Sequence, residues 1–200
     1  RVLVTDQAEN TATAIDPARV VLSDKADLPS NAHVVLGGPT VATMDEGGAL
    51  RAAPFTSLAA VGKEAGDPIA ELGRGAAVTV STAGLVYAVS AEKGVLYAYA
   101  PDAQGVFVQT AERELEGIEK NDELAITSVG GVSVVLDRTS STLFTSDGLV
   151  AQVPDEAILQ QPSNVTDTVT LATSSQLVRV PLAGGDPVTT DAGDGGAPAQ

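Results

Sequence analysis

Residues 31–55 read NAHVVLGGPTVATMDEGGALRAAPF, a pattern of short apolar runs and turn residues. It contains two apolar runs, one closed by Gly37 and Gly38 and the other by Asp45 and Glu46. Runs rich in Val and Thr favour strands. Glycines supply the positive φ that tight hairpins need. The pattern therefore predicts hairpins, and it favours a turn at Asp45 and Glu46 over a site of chemistry.

The same pattern returns about every 42 residues. If each copy is aligned on the last residue of its first run, the steps from Asp6 to Asp45, Ser90, Asp137 and Thr173 are 39, 45, 47 and 36 residues. This is the spacing of four-stranded propeller blades. The five predicted hairpins lie at residues 2–16, 40–54, 85–102, 133–147 and 170–185.

A further strand is predicted just ahead of four of these hairpins, within residues 33–38, 76–84, 123–131 and 163–168. The polar stretches between units, such as residues 58–75 and 106–122, are expected to supply the exposed outer strand. A helix over AERELEGIEKNDELA (111–125) competes with this interpretation, since Leu115 and Ile118 are three residues apart.

The fold class predicted is therefore all-β and propeller-like, with about five repeats and an incomplete circle as one outcome. A β-sandwich is the alternative, because it is also built from short strands at regular spacing. The first unit begins on its second strand and lacks the first. We predict a propeller-like domain over residues 1–190, including a strand in DPVTTD (186–191), and a flexible Gly/Ala/Pro tail over residues 191–200.

Charge and composition exclude several classes of function. The net charge is −15, with 26 acidic against 11 basic residues, which argues against nucleic acid and against direct contact with anionic membranes. The chain has no cysteine, so thiolate metal sites and cysteine nucleophiles are excluded. We therefore predict no cofactor and no metal.

Three segments carry a resemblance to a known family: RVLVTDQAENTATAIDPARVVL (1–22), NAHVVLGGPTVATMDEGGAL (31–50) and SVGGVSVVLDRTSSTLF (128–144). They resemble the propeller region of large actinobacterial cell-surface proteins that carry fibronectin type III or Ig-like domains after it. The resemblance implies an extracytoplasmic scaffold in a membrane-anchored parent protein. It carries over no functional residues.

Three carboxylates are candidate ligand residues because they occupy the same turn of three units: Asp6, Asp45 and Asp137. Asp at such a position usually forms the turn through its own backbone. The alternative is a cation or ligand site on the face where these turns meet. His33 is the only histidine, and one His without Cys cannot make a zinc site.

The tyrosines are the best candidates for sugar contacts. Tyr87, Tyr97 and Tyr99 flank the turn SAEKG (90–94), and we expect Tyr87 near Tyr97 on one face, with Tyr99 diagonal to it. Packing between adjacent sheets is the other use of these rings.

The sequence favours a non-catalytic interaction or scaffold module with a protein or glycan partner. Self-association through open sheet edges is also expected. Two alternatives remain: an extracellular hydrolase or lyase acting on polysaccharide, and a ligand-sensing propeller.

Overall fold

A computed structural model describes residues 2–16, 21–164 and 167–191. These residues form five antiparallel sheets, and each sheet follows the previous one along the chain. The described part contains one helical segment, a 3₁₀ helix at Phe55–Val61. Five successive sheets differ from the two layers of a sandwich, so the sandwich alternative is wrong.

Sheet 1 has three strands and sheets 2 to 5 have four, and within every sheet the strands lie in chain order. In sheets 1 and 2 the strands are β1 (Val2–Asp6), β2 (Thr11–Asp16), β3 (Val21–Asp27), β4 (His33–Gly37), β5 (Thr40–Met44), β6 (Ala49–Pro54) and β7 (Ala70–Glu71). In sheets 3 and 4 they are β8 (Ala77–Val80), β9 (Val86–Ser90), β10 (Val95–Pro101), β11 (Phe107–Glu114), β12 (Leu124–Val129), β13 (Val132–Asp137), β14 (Thr142–Thr145) and β15 (Val150–Gln152). In sheet 5 they are β16 (Ile158–Leu159), β17 (Thr168–Ala172), β18 (Gln176–Pro181) and β19 (Val188–Asp191).

The first strands of sheets 2 to 5 are the innermost ones. Strands β4, β8, β12 and β16 lie side by side and contact each other in that order. The backbones of sheets 2 and 3 approach each other closely at Gly37. A Cβ atom there would lie 2.5 Å from the carbonyl oxygens of Val80 and Ser81. Gly37 is therefore required for packing between sheets, whereas Gly38 has the positive φ expected of the turn.

One predicted inner strand is wrong. The inner strand of sheet 5 is β16, at Ile158–Leu159, whereas of the predicted residues 163–168 Thr168 belongs to β17 and residues 165–166 lie outside the described residues. A two-residue strand shortly before Pro162 has no alternation that periodicity could detect. Ser163 still contacts sheet 4, through a bridge to Val129.

Sheet 1 lacks an inner strand in the described residues, as the alignment of the repeats predicted. Strand β1 pairs with β2 alone, and β2 pairs with β3. At the other end of the chain, β19 lies within the predicted DPVTTD segment. Asp191 ends β19, and residues 192–200 of the predicted tail lie outside the described residues.

The helix that competed for residues 111–125 is wrong. Residues 111–114 complete β11, which pairs with β10 across one bulge after Ala98. Leu115 and Ile118, whose spacing suggested a helical face, both pack into the core between sheets 3 and 4 from the turns that follow. Burial of two apolar residues needs only that both reach the same core, so their spacing was not evidence of a helix.

The core consists of apolar clusters between successive sheets. Central members are Ala12, Val41 and Leu58 between sheets 1 and 2, Ala42, Leu50 and Val80 between 2 and 3, Val89, Leu96 and Phe144 between 3 and 4, and Leu143, Val169 and Val178 between 4 and 5. Strands β5 (TVATM) and β9 (VYAVS) are buried on both faces, which explains why neither contains a charged residue. No such cluster joins sheets 1 and 5 within the described ranges, so the row of sheets is open.

Candidate functional site

One end of the row is formed by the turns between the second and third strand of each sheet. We call this end the turn face; its turns lie at residues 6–10, 45–48, 90–94, 137–141 and 173–175. The inner strands begin at the same end, because His33, the first residue of β4, pairs with Met44 next to the turn. The turn face therefore lies at the opening of the groove that the inner strands line, which is described below.

The turn carboxylates bind their own backbone. Asp45 Oδ1 accepts hydrogen bonds from the N–H groups of Gly47 and Ala49, at 2.9 and 3.0 Å. Asp6 Oδ1 does the same with Ala8 and Glu9, at 2.9 and 3.1 Å. Both carboxylates thus act as turn formers in the structure.

The carboxylate of Asp137 accepts hydrogen bonds through both of its oxygens, and the residue is buried, with 1% of its surface exposed. Its Oδ1 accepts from the N–H of Thr139 at 2.8 Å, and its Oδ2 accepts from the Ser140 hydroxyl. The structure does not bring Asp6, Asp45 and Asp137 into one cluster. Among the described residues, no group of three or more His, Cys, Asp or Glu side chains is placed to hold a metal ion.

A repeated main-chain contact secures each of the first four turns. The last residue of the turn has positive φ, and its carbonyl oxygen accepts a hydrogen bond from a buried aliphatic residue just past the outer strand. The pairs are Leu28 N–H to Asn10 (2.7 Å), Leu72 to Gly48 (2.9 Å), Leu115 to Gly94 (2.8 Å) and Val153 to Ser141 (3.0 Å). We call these contacts the turn latches.

Sequence reasoning missed the latches, although a signal exists. Leu28, Leu72, Leu115 and Val153 are spaced by 44, 43 and 38 residues, close to the repeat itself. Each is an isolated apolar residue in a polar connection, where it resembles an ordinary loop residue. Each latch ties the outer connection of its blade to the turn, because a buried residue donates its main-chain N–H to the carbonyl of the turn.

The predicted neighbourhood of Tyr87 and Tyr97 is wrong. Ser90 pairs with Val95 across a four-residue turn, so Tyr87 lies opposite Ala98, and Tyr97 lies opposite Ala88. The predicted pairing needed a register shorter by one residue, and one residue moves a side chain to the other face of the sheet. Tyr97 and Tyr99 share a face, with ring centroids 6.3 Å apart.

The tyrosines serve packing between sheets. Tyr87 is buried, and its hydroxyl donates to the carbonyl oxygen of Gly131 in sheet 4 at 2.9 Å. Burial raises the pKa of Tyr87, and the charge of Asp147 adds to that effect. Tyr99 packs between sheets 2 and 3, where burial, followed by the charges of Tyr97 and Glu112, raises its pKa to about 12. Only Tyr97, which Lys93 approaches to 5.9 Å from the ring centroid, is partly exposed.

A groove runs along the inner strands. Its cavity of about 250 Å³ is lined by residues of β4, β8, β12 and β16, and by Arg138 at the turn face. Thr127 lines it with a hydroxyl that is buried and has no hydrogen-bond partner in the described structure. At the mouth, Arg138 Nη1 lies 2.8 Å from Glu123 Oε1, and His33 is exposed. The groove offers polar groups that bind and orient a ligand rather than a paired acid and base.

A second cavity of about 400 Å³ lies beside sheet 1. Thr5 and Asp6 line one side, and His33 and Val34 line the other. This is the position next to β1 where sheets 2 to 5 have their inner strand. Nearby, Asn31 Nδ2 donates to Glu46 Oε1 at 2.7 Å.

Comparison with known proteins identifies the fold. No protein-family model matches the chain, and a search of curated proteins finds no match. Among solved structures, a functionally unknown protein from Desulfotomaculum acetoxidans matches with a TM-score of 0.63 at 14% identity, over 94% of this chain and 64% of that one. Virginiamycin B lyase from Staphylococcus aureus matches with a TM-score of 0.53 at 10% identity, over 96% of this chain and 67% of that one. Hsv2 of Kluyveromyces lactis matches with a TM-score of 0.58 at 9% identity, over 90% of this chain and 57% of that one.

The fold is a β-propeller. The lyase and Hsv2 are propeller proteins, which confirms the fold class predicted from the repeat, and the sheets described above are its blades. The chain spans about three fifths of the length of the structures it matches. Identities below 25% establish the fold alone. Across the described ranges, no helix has the length and apolar character needed to cross a bilayer.

Proposed function

We propose that these blades form a non-catalytic interaction module of a membrane-anchored cell-envelope protein, the setting implied by the family resemblance. One observation carries the proposal: the turn-face carboxylates are bound by their own turns. Asp45 and Asp137 each accept hydrogen bonds from backbone N–H groups of their own turns, which supports an ordered binding platform over a reactive centre. Rigid loops on a scaffold are common binding surfaces.

The binding surface proposed is the turn face with the mouth of the groove. His33 is exposed there, Arg138 lies there paired with Glu123, and the Thr127 hydroxyl, which has no partner in the described structure, lies inside. Glycan sites usually stack a sugar on an exposed aromatic ring. Tyr87 and Tyr99 are buried, which favours a polypeptide partner over a glycan.

Site-specific photo-crosslinking tests this proposal. A photoreactive residue replaces Glu92 on the turn face or Gln104 in the turn between β10 and β11, at the opposite end of the same blade. Both positions are exposed, so they are matched controls. We expect cells expressing the parent protein to yield one discrete crosslinked polypeptide from position 92 and none from position 104. Equal crosslinking from both positions, or crosslinks to saccharide only, would contradict the proposal.

The hydrolase or lyase alternative needs a proton-transfer group at the groove, and His33 is the chain's only histidine. We expect no turnover of envelope polysaccharides or cyclic lactones by the purified chain. Product formation that disappears in His33→Gln, with unfolding unchanged, would replace the scaffold proposal with an enzymatic one.

Surface location is tested separately. Protease treatment of intact cells should release peptides of this domain, whereas a cytoplasmic marker protein stays intact. Release only after lysis would refute the extracytoplasmic location while leaving the interaction proposal open to the crosslinking test.

A further inference from the structure

In the part of the chain that the structure describes, the outward face of blade 1 carries exposed apolar side chains and nothing covers it. Val2, Val4 and Leu22 are 43%, 49% and 68% exposed. The register places Val2, Ile15 and Leu22 in one row across the sheet. The opposite face of blade 1, with Ala12, packs against blade 2.

The outward face of blade 5 is of the same kind. Ile158, Leu177 and Val188 are 60%, 40% and 59% exposed. Ile158 and Leu177 both pair with Ala172, so they lie in one row, while Val178 faces blade 4. Each end of the row of blades thus presents a sheet face that resembles the faces buried between blades.

The inner edge of blade 1 is also uncovered. In blades 2 to 4 the second strand is hydrogen-bonded on both sides, by the inner and the third strand. Strand β1 occupies the second position, but it has a partner only on the β2 side in the described residues. The 400 Å³ cavity between Thr5 and His33 lies along this open edge.

We propose that the two end faces and the inner edge of β1 form one split interface, and that its occupant is an arc of further propeller blades. One of these blades supplies an inner strand antiparallel to β1. The interface continues the packing already present between blades 1 to 5, where Val, Leu and Ala of one sheet meet those of the next. The proposal is independent of the function proposed for the turn face.

The size of the gap favours further blades over a second copy of this chain. The chain superposes along nearly its whole length on two propellers, the lyase and Hsv2, of which it covers 67% and 57%. Propellers have up to about eight blades, and five blades that span about three fifths of such a structure leave a gap of about three. Five more blades from a second copy would not fit it.

Grafting an inner strand tests the open edge. A copy of residues 123–131, which precede Val132 in blade 4, is joined ahead of Val2, and the control carries Ala125→Pro in the grafted copy only. In blade 4 the main chain of Ala125 points towards β13, opposite Leu136, as does the Glu123 carbonyl that accepts from the Arg138 N–H. We expect the graft to raise Tm by about 5 °C and to slow amide exchange in residues 2–6. The proline control should do neither, because it removes a ladder hydrogen bond. A graft that behaves like its control would overturn the proposal.

Charged substitutions test the end faces and the occupant. Binding of the dye 8-anilinonaphthalene-1-sulfonate and sedimentation velocity are measured for the chain, for Val4→Lys with Leu177→Lys, and for Val108→Lys. Val108 is 44% exposed on the outer strand β11, so it matches Val4 away from the end faces. We expect the chain to be monomeric and to bind dye, and the double variant alone to lose at least half of that binding. Unchanged dye binding overturns the proposal, as does a dimer that the double variant dissociates, which would make a second copy the occupant.

Discussion

Asp137 shows how a single residue of the turn face supports the fold. Its carboxylate is buried and is satisfied by the Thr139 N–H and the Ser140 hydroxyl. Hydrogen bonds to charged groups contribute more to stability than neutral ones, and their loss leaves buried donors without partners. Asp45 makes comparable bonds at a more exposed position.

We predict that Asp137→Ala lowers the free energy of unfolding by about 2–3 kcal/mol. Urea denaturation measures the change. Glu116→Ala, at an exposed position, is the control and should stay within about 0.5 kcal/mol of the unmodified chain. Similar values for the two variants would mean that the Asp137 bonds contribute little.

Tyr99 couples stability to alkaline pH. Burial is the main reason that its pKa is raised to about 12, and the unfolded value is near 10. Between pH 10 and 12 the unfolded chain therefore binds fewer protons than the native chain, so stability falls as pH rises through this window. Below pH 10 the contribution of the protonated phenol is fully present.

We predict that Tyr99→Phe reduces this alkaline loss. The difference in unfolding free energy between pH 9 and pH 11 should be about 1 kcal/mol smaller in Tyr99→Phe than in the unmodified chain. Denaturant titrations at the two pH values give the comparison. An equal loss in both proteins would show that the Tyr99 phenol does not remain protonated in the native state.

At the scale of the elements, the connections between strands decide which side chains meet. The four-residue turn after Ser90 sets the register of β9 and β10 and sends Tyr87 towards blade 4, away from Tyr97. The latches hold the outer connection of each blade against its turn. Gly48 illustrates the constraint, since its carbonyl accepts the Leu72 N–H and its φ is +87°.

We predict that Gly48→Ala is far more destabilising than Gly117→Ala. A Cβ atom on Gly48 would lie 2.2 Å from the Gly73 carbonyl oxygen, whereas one on Gly117, with φ +94°, would meet nothing within 4 Å. Gly117→Ala carries the backbone penalty alone, about 1 kcal/mol, and Gly48→Ala adds a backbone clash for a total of about 3 kcal/mol or more. Thermal unfolding of the two variants tests this, and equal Tm values would argue against a tight latch.

At the scale of the whole molecule, the number of covered faces differs along the row. Blades 2, 3 and 4 are packed on both faces, whereas blades 1 and 5 are each packed on one face in the described structure. In a linear array, local stability is approximately the sum of each unit and its neighbouring interfaces.

We predict graded protection from hydrogen exchange. Amides of β5, β9 and β13 should exchange slowest, and those of β1 and β18 should exchange at least tenfold faster under native conditions. Exchange followed by mass spectrometry gives the rates. Uniform protection across all five blades would show that the end faces are covered in solution.

Local sequence patterns predict the hairpins, the repeat and, among the described residues, a first blade that begins on its second strand. These features depend on local alternation and on turn residues such as Asp6, Asp45 and Gly38, whose conformational preferences act over a few residues. For the same reason the turn-forming role of the carboxylates was among the sequence predictions.

Only the tertiary structure decided the register of Tyr87, the position of the inner strand of blade 5, the latches and the groove. A register depends on the exact length of a turn, which composition does not specify. Strand β16 has two residues and is held by β17 and by contact with β12. The Thr127 hydroxyl and Arg138 meet at the groove because separate blades converge there, and convergence of distant segments leaves no periodic signal in the chain.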